Sequence, residues 1–434
     1  MGLVHATAMV VGTMIGASIF VQPSEITGQV PSIGGIFLVW ALSGVLTLFG
    51  ALVCAELASA FPESGGVYVF LKRAFSPAAG FLWGWAMFWS MHSGIIAAIA
   101  VVFARYVAFF VPLDDTGIRL VAIAAVVALS AVNYRGVHHG GRVQALFTIG
   151  KVLAIVFLIS VGFVIGASVP PHAAAEQGRA WWTIAPRDYA LALIAGLFTF
   201  GGWHMVTYPA EETVNPRRTI PAALVIGVVI VTLCYVALNA AYLYVLPIDR
   251  VAVSTRIAAD AADVLVGRSG AAAMSALVVF STFGALNGII LTGPRVYFAM
   301  ARDGLLFRWV AGIHPRFDTP HRAIVLQAVW SSVLVATGTY RQLFTRVIYT
   351  EWIFFALMAV GLVLLRRRPG YSPDYRTWGY PFVPAAFAIA SLVIVANQIA
   401  TDPMESASGL LLVAAGLPVY AIWLRGRSAG DVKR

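Results

Sequence analysis

The stretch VVGTMIGASIF, Val10 to Phe20, lies inside the first long apolar segment yet carries Gly12, Thr13, Gly16, Ala17 and Ser18. In hydrocarbon, an N–H or C=O without a partner costs several kcal/mol, so a lipid-facing helix should stay intact. Broken backbone survives there only where it lines a cavity or meets a ligand. A run of small, flexible residues at this place predicts an interruption of the first membrane helix.

Composition places the chain in a bilayer. Of 434 residues, 60% are hydrophobic and only 11% are charged, and the mean hydropathy is +0.85. A soluble domain carries about 25% charged residues, so this chain cannot keep a soluble surface wet. The expected fold is an all-α polytopic membrane protein. Twelve spans are read near 3–27, 34–61, 79–111, 118–133, 141–168, 189–212, 219–246, 269–301, 322–338, 346–365, 381–400 and 407–424. Each reaches or approaches the roughly 20 residues that cross the hydrocarbon layer. The joining segments are too short to hold a soluble domain, and no cleavable signal peptide is read at the start.

Most of the 29 Lys and Arg residues fall on one side of these spans, among them Lys72, Arg73, Arg217, Arg218, Arg366, Arg367 and Arg368. The positive-inside rule then puts both termini in the cytoplasm, with the protein in the cell inner membrane. The net charge of +10 reflects topology and lipid contact, and no nucleic-acid partner is expected. Cys54 and Cys234 both fall in apolar spans and read as small core residues, with no metal site or cofactor implied.

The sixth span repeats the anomaly. GLFTFGGWH, Gly196 to His204, interrupts an apolar run with paired glycines, and Pro209 follows before polar residues. Spans one and six are the first members of two five-span halves, and interrupted spans at matching places point to a secondary transporter with inverted repeats. The halves are read as 1–168 and 189–366, with 381–425 as an appendage of two spans. N–H groups freed at a half-helix start attract a carboxylate, and freed carbonyls accept from an ammonium. One site offering both suits a zwitterionic amino acid. Gly12 and Gly16 also fit a small-xxx-small packing pattern, but two segments in matching positions favour the site.

VGTMIGASIF resembles the first-helix signature of the amino acid–polyamine–organocation transporters. GLFTFGGWHMVTYPAEETVNPRRTIPAAL is similar to the sixth-helix segment of their L-type amino acid transporter branch. STFGALNGIILTGPRVYFAMARDGLL and AELASAFPESGGVYVFLKRAF resemble the eighth span and the end of the second. The resemblance covers nearly the whole chain. It implies the leucine-transporter arrangement, a 5+5 inverted repeat plus two helices with helices 1 and 6 broken, working by alternating access.

By position, the resemblance places the substrate carboxylate on N–H groups around Gly16, Ala17 and Ser18. The α-amino group would meet carbonyls near Met14, Phe198, Gly201 and Gly202. Phe198 would close over the substrate, and Trp203 with residues around Ser93 and Gly94 would shape the side-chain pocket. Two departures stand out: Ala17-Ser18 replaces the usual Ser-Gly, and His204 stands where L-type members often have Asn.

Lys151, in TIGK, follows Arg142 by roughly 13 Å of helix, close to mid-bilayer, where a lysine needs a partner. Family members with a lysine here use its ammonium in place of sodium. The resemblance therefore implies that Lys151 holds carbonyls of the broken first helix and a hydroxyl of span eight, Ser281 or Thr282, with transport independent of sodium. Glu351, in YTEWIFF, is a possible second polar site. It faces substrate, a proton or a neighbouring helix, or pairs with nearby Arg346. Asn287 reads either as a polar site or as a hydrogen bond between helices. Glu56, Glu211 and Glu212 read as gate or capping charges at inner helix ends.

The expected function is secondary transport of amino acids, neutral L-amino acids first, by exchange or linked to protons, and the protein is not an enzyme. A carrier of cationic amino acids or polyamines, and a sensor that binds without transport, stay open. A channel would want a filter or charged ring, and an enzyme would want clustered reactive groups beside His138 and His139; neither pattern is present in the sequence. The loop VPLDDTG lacks the cysteine that links eukaryotic L-type members to a glycoprotein, so no disulfide-linked subunit is expected. The chain begins almost at the broken helix, which reads either as a truncated start or as weaker inner closure.

Overall fold

The computed structural model describes residues 1–63, 65–136, 153, 155–164, 180–208 and 210–422. Its helices are α1 (Leu3–Met14), α2 (Gln22–Gln29), α3 (Ile33–Ala60), α4 (Val67–Ala74), α5 (Pro77–Ala86), α6 (His92–Val107) and α7 (Asp115–Tyr134). There follow α8 (Ile155–Val164), α9 (Pro186–Thr199), α10 (Pro216–Val245), α11 (Ile248–Val253), α12 (Ile257–Arg302), α13 (His321–Thr337), α14 (Tyr340–Arg366), α15 (Phe382–Thr401) and α16 (Pro403–Ala414). Among the described residues, nine helical stretches are long and apolar enough to cross a membrane. Leu3–Met14 and Ile155–Val164 are apolar but shorter.

Local chemistry sets several boundaries. Ser32, Ser76 and Asp114 each turn a side-chain oxygen onto the backbone N–H three residues on, starting α3, α5 and α7. Pro77 adds the fixed φ that suits a first helical position. Thr339 and Gln342 form a reciprocal capping box, so α14 starts at Tyr340 rather than near residue 346. The expected span 269–301 is part of a 46-residue stretch, far longer than a bilayer needs. Gly267, with φ 71°, breaks that stretch before the apolar part begins.

The short α4 was not expected. It is amphipathic, with Phe70 and Leu71 buried and Lys72 and Arg73 in its last turn. The expected span 79–111 carries a π-helical turn at Met87–Met91 between α5 and α6. In the core, α10 packs along both α1 and α3, and Gly227 leaves room for Val10 against its backbone. Outward faces stay apolar: Leu120, Val127 and Val132 on α7 and Leu233 on α10 are exposed. In water such faces would drive aggregation; in lipid they are the solvated surface.

Candidate functional site

Both interrupted helices stop where the sequence loses its helix formers. α1 ends at Met14, Ile15 turns out of helical geometry, and Gly16 N–H donates back to the Met14 carbonyl at 2.7 Å. A 3-10 turn over Ser18–Phe20 then leads into α2. Gly12 stays inside α1, so the flexible run does not break at its first glycine. The N–H groups of Ala17 and Ser18 have no hydrogen-bond partner among the described residues.

α9 ends at Thr199, and Gly202 turns the chain with φ 95° into a 3-10 segment, Trp203–Thr207. The two breaks touch. Thr13 Oγ1 lies 3.2 Å from the Gly202 carbonyl and also within reach of Met9 and Val10 carbonyls, at 2.8 and 3.0 Å. Tyr235 on α10 joins them from behind, its hydroxyl 2.7 Å from the Met14 carbonyl and 3.1 Å from that of Thr199.

A cavity of about 30 Å³ sits between the breaks. Its wall includes Thr13, Met14, Gly16 and Ser18 from the first break, and Phe198, Gly201 and Gly202 from the second. Ile95, Ile99, Ile289, Val347 and Ile348 make the rest apolar, apart from Glu351. Its volume is far below the roughly 300–1,000 Å³ of ligand pockets, so the walls must part to seat an amino acid. On one side Phe198 packs at a tilt against Phe344, 5.5 Å between centroids, and beyond lies a cavity of about 310 Å³ with Glu25, Gln29, Arg341 and Gln342. On the other side a cavity of about 510 Å³ is lined by Tyr68, Lys72, Tyr208, Arg295, Arg302 and Asp303.

Ala17 is buried beside the cavity-lining residues of the first break. Trp203 is buried off the cavity wall, its ring tilted against Phe355 at 5.0 Å and packed over Gly50. Ser93 is buried, and Gly94 lies against Val347; from that helix Ile95 and Ile99 reach the cavity. Ser281 is fully buried, and its hydroxyl has no partner among the described residues. Thr282 bonds its own helix at Val278 and Val279. Lys151 lies outside the described residues. Asn287 accepts a 2.8 Å hydrogen bond from Asn133 Nδ2, joining α12 to α7.

Glu351 is buried, and its ionisable neighbour among the described residues is His204 rather than Arg346: Oε1 and Nε2 are 3.6 Å apart. His204 is ringed by Trp83, Trp203, Tyr208 and Phe355. Sequence reading singled out Glu351 and His204 separately. Nothing in sequence spacing could have joined two residues on α14 and after α9.

Charges gather at the end of the bundle that carries α4. Glu56 is fully buried and takes hydrogen bonds from Arg366 Nε at 2.8 Å, Arg366 Nη2 at 2.6 Å and Thr377 N–H at 2.7 Å. Asp303 accepts from Tyr68 Oη at 2.6 Å and Lys72 Nζ at 3.0 Å. Burial pushes the Asp303 carboxyl up, but the Tyr68 and Lys72 hydrogen bonds and the Lys72 and Arg302 charges outweigh it, and the net shift is downward. Burial, then the Asp303 contact, pushes the Tyr68 phenol up. Arg217 pairs with Asp374 at 3.3 Å and Arg73 with Glu63 at 2.6 Å.

A helical membrane protein with two interrupted helices meeting at a central cavity, between larger cavities towards opposite ends, has the build of a secondary transporter. A family model described as amino acid permease matches residues 1–422, and the chain belongs to that family. It is 31% identical to the serine/threonine exchanger SteT of Bacillus subtilis, over 96% of this chain and 95% of that protein. It is 32% identical to the large neutral amino acids transporter small subunit 2 of Oryctolagus cuniculus, over 96% and 79%. It is 29% identical to the cystine/glutamate transporter of Homo sapiens, over 97% and 84%. The chain is thus a transport protein and not an enzyme.

Proposed function

We propose that this protein carries neutral L-amino acids across the cytoplasmic membrane by alternating access, without sodium, in exchange or linked to protons. The observation that carries the reading is the meeting of the two breaks at one cavity. The unpaired N–H groups of Ala17 and Ser18 take the substrate carboxylate. Carbonyls at Met14, Phe198, Gly201 and Gly202 take the ammonium. The apolar remainder of the wall, with Ile95, Ile99 and Ile289, takes an uncharged side chain.

The fold under this reading has twelve spans with both termini cytoplasmic. Residues 1–168 and 189–366 are inverted repeats and 381–425 an appendage. Sodium independence rests on Lys151 and on the buried Ser281 hydroxyl, whose oxygen can accept a hydrogen bond from an ammonium. Three relatives named for different amino acids leave the particular one to experiment. The Glu351 carboxylate on the cavity wall favours one second reading, a cationic amino acid as cargo.

Uptake of a labelled amino-acid panel into sodium-free proteoliposomes, with and without internal substrate, tests the reading. Neutral amino acids entering without sodium support it. Exclusive uptake of cationic ones moves the assignment to the second reading. Binding without flux would make the protein a sensor.

A further inference from the structure

The cavity wall is apolar except at the backbone breaks and at three side chains, Thr13, Ser18 and Glu351. Thr13 is already bonded to carbonyls. Glu351 is different, because its carboxyl accepts no hydrogen bond from the described residues and no Lys or Arg among them pairs with it. Among the described residues the ionisable group nearest its carboxyl in the ion-pair geometry is His204 Nε2, and the two side chains are 5% and 2% exposed. The imidazole's other nitrogen, Nδ1, is buried with no partner among the described residues. Tyr208, whose ring lies 5.7 Å from that of His204, also lines the large cavity beside Asp303.

A lone carboxylate held this deep is expensive, and so is a lone imidazolium. One proton on the pair removes both costs, whether as carboxylic acid beside neutral imidazole or as carboxylate beside imidazolium. A zwitterionic substrate with an uncharged side chain brings no net charge of its own. We propose that Glu351 and His204 hold a single proton whenever the cavity closes around a neutral amino acid, so that each such closure takes one proton into the protein. The inference rests on the transport reading above.

The step needs no partner beyond water. A solvent proton adds to Glu351 Oε1 while the cavity is open, forming the O–H bond. Within the closed pair that bond breaks and an N–H bond forms at His204 Nε2, which leaves carboxylate and imidazolium. Nδ1 then offers a release site on the face turned away from Glu351. Among the described residues, His92 on α6 acts on His204 and Tyr208 lies within electrostatic reach of Glu351, while Cys54 on α3 and Tyr297 on α12 surround Tyr208.

The test is exchange of a labelled neutral amino acid at equal pH on both sides, measured from pH 5 to pH 9. The wild type should lose about tenfold in rate per pH unit on the alkaline limb, the slope of one required proton. Glu351→Gln should flatten that limb whatever its residual rate, because the amide is neutral at every pH. A flat wild-type profile, or the wild-type slope surviving in Glu351→Gln, overturns the inference.

A second measurement needs no variant. Purified protein in weakly buffered detergent, at a pH on the alkaline limb, should take up close to one proton when saturated with the amino acid, read by an indicator dye. Saturation with no proton uptake would overturn the inference. Absence of exchange for every amino acid would instead strike the transport reading, so the two failures are distinguishable.

Discussion

The hydroxyl of Tyr235 lies 2.7 Å from the carbonyl oxygen of Met14, the last residue of the first half-helix. The same hydroxyl is 3.1 Å from the carbonyl of Thr199, the last residue of the other. Trp40 and Phe200 pack edge-on against the ring, at 5.7 and 5.0 Å. One buried phenol thus holds two broken ends in register. Tyr235→Phe keeps the ring and removes the clamp. It should cost about 1–2 kcal/mol, the range for a buried hydrogen bond, seen as a lower apparent melting temperature. Weaker substrate-induced stabilisation should accompany it, and unchanged stabilisation by substrate would detach the clamp from the site.

Gly202 and Gly16 give opposite forecasts. At Gly202 φ is 95°, and an added Cβ would sit 3.1 Å from the Thr13 carbonyl oxygen. Gly202→Ala should therefore lose about 1–3 kcal/mol, the scale of local backbone strain. At Gly16 the nearest heavy atom to an added Cβ is 3.8 Å away, an ordinary contact. Gly16→Ala should fold with a loss under about 1 kcal/mol. Equal melting temperatures for the two variants would contradict the geometry.

Glu56 and Arg366 should behave as a unit. Arg366→Ala strands a fully buried carboxylate and should cost about 3–5 kcal/mol. Glu56→Met combined with Arg366→Met removes the charge from both sides and should recover most of that loss. A double variant as unstable as the single one would show that the pair does more than neutralise itself.

Asp303 supplies a control for pH. Its folded value is depressed, so the stability it contributes is complete above its unfolded value of about 3.9 and is lost as pH falls through the lower folded value. Asp303→Asn should lower the apparent melting temperature by the same amount at pH 5.5 and pH 8. That difference should shrink only below about pH 4. A gap that changes between pH 5.5 and 8 would implicate another group.

The helical class and both interruptions were legible because small residues in an apolar run break a rule the bilayer enforces. Met14, Gly16, Ser18, Phe198, Gly201 and Gly202, to which the family resemblance points as substrate contacts, line the cavity between the breaks. What the sequence hid depends on contacts between distant segments. Tyr235 is one aromatic in an ordinary apolar run, and only the packing of α10 on α1 and α3 points its hydroxyl at two helix ends. Glu351 looked nearest to Arg346 along the chain, but five residues of helix place the two on different faces, and Glu351 turns to His204 instead. Trp203 follows a glycine with positive φ, and that turn sends its ring towards Phe355 and away from the cavity. Periodicity also gave no sign of the π-helical turn at Met87–Met91, because the run stays apolar through it.

The most direct test of the central claim, that the two breaks recognise a zwitterion, is competition against sodium-free uptake of a labelled neutral amino acid. Three compounds share the side chain: the unlabelled amino acid, its methyl ester and its decarboxylated amine. Charged hydrogen bonds are worth about 1.5–3 kcal/mol each, so losing the carboxylate should weaken competition at least about tenfold. The account predicts strong inhibition by the amino acid and little by the ester or the amine. An amine that inhibits as well as the amino acid would contradict it, and would show that Ala17 and Ser18 do not hold a carboxylate.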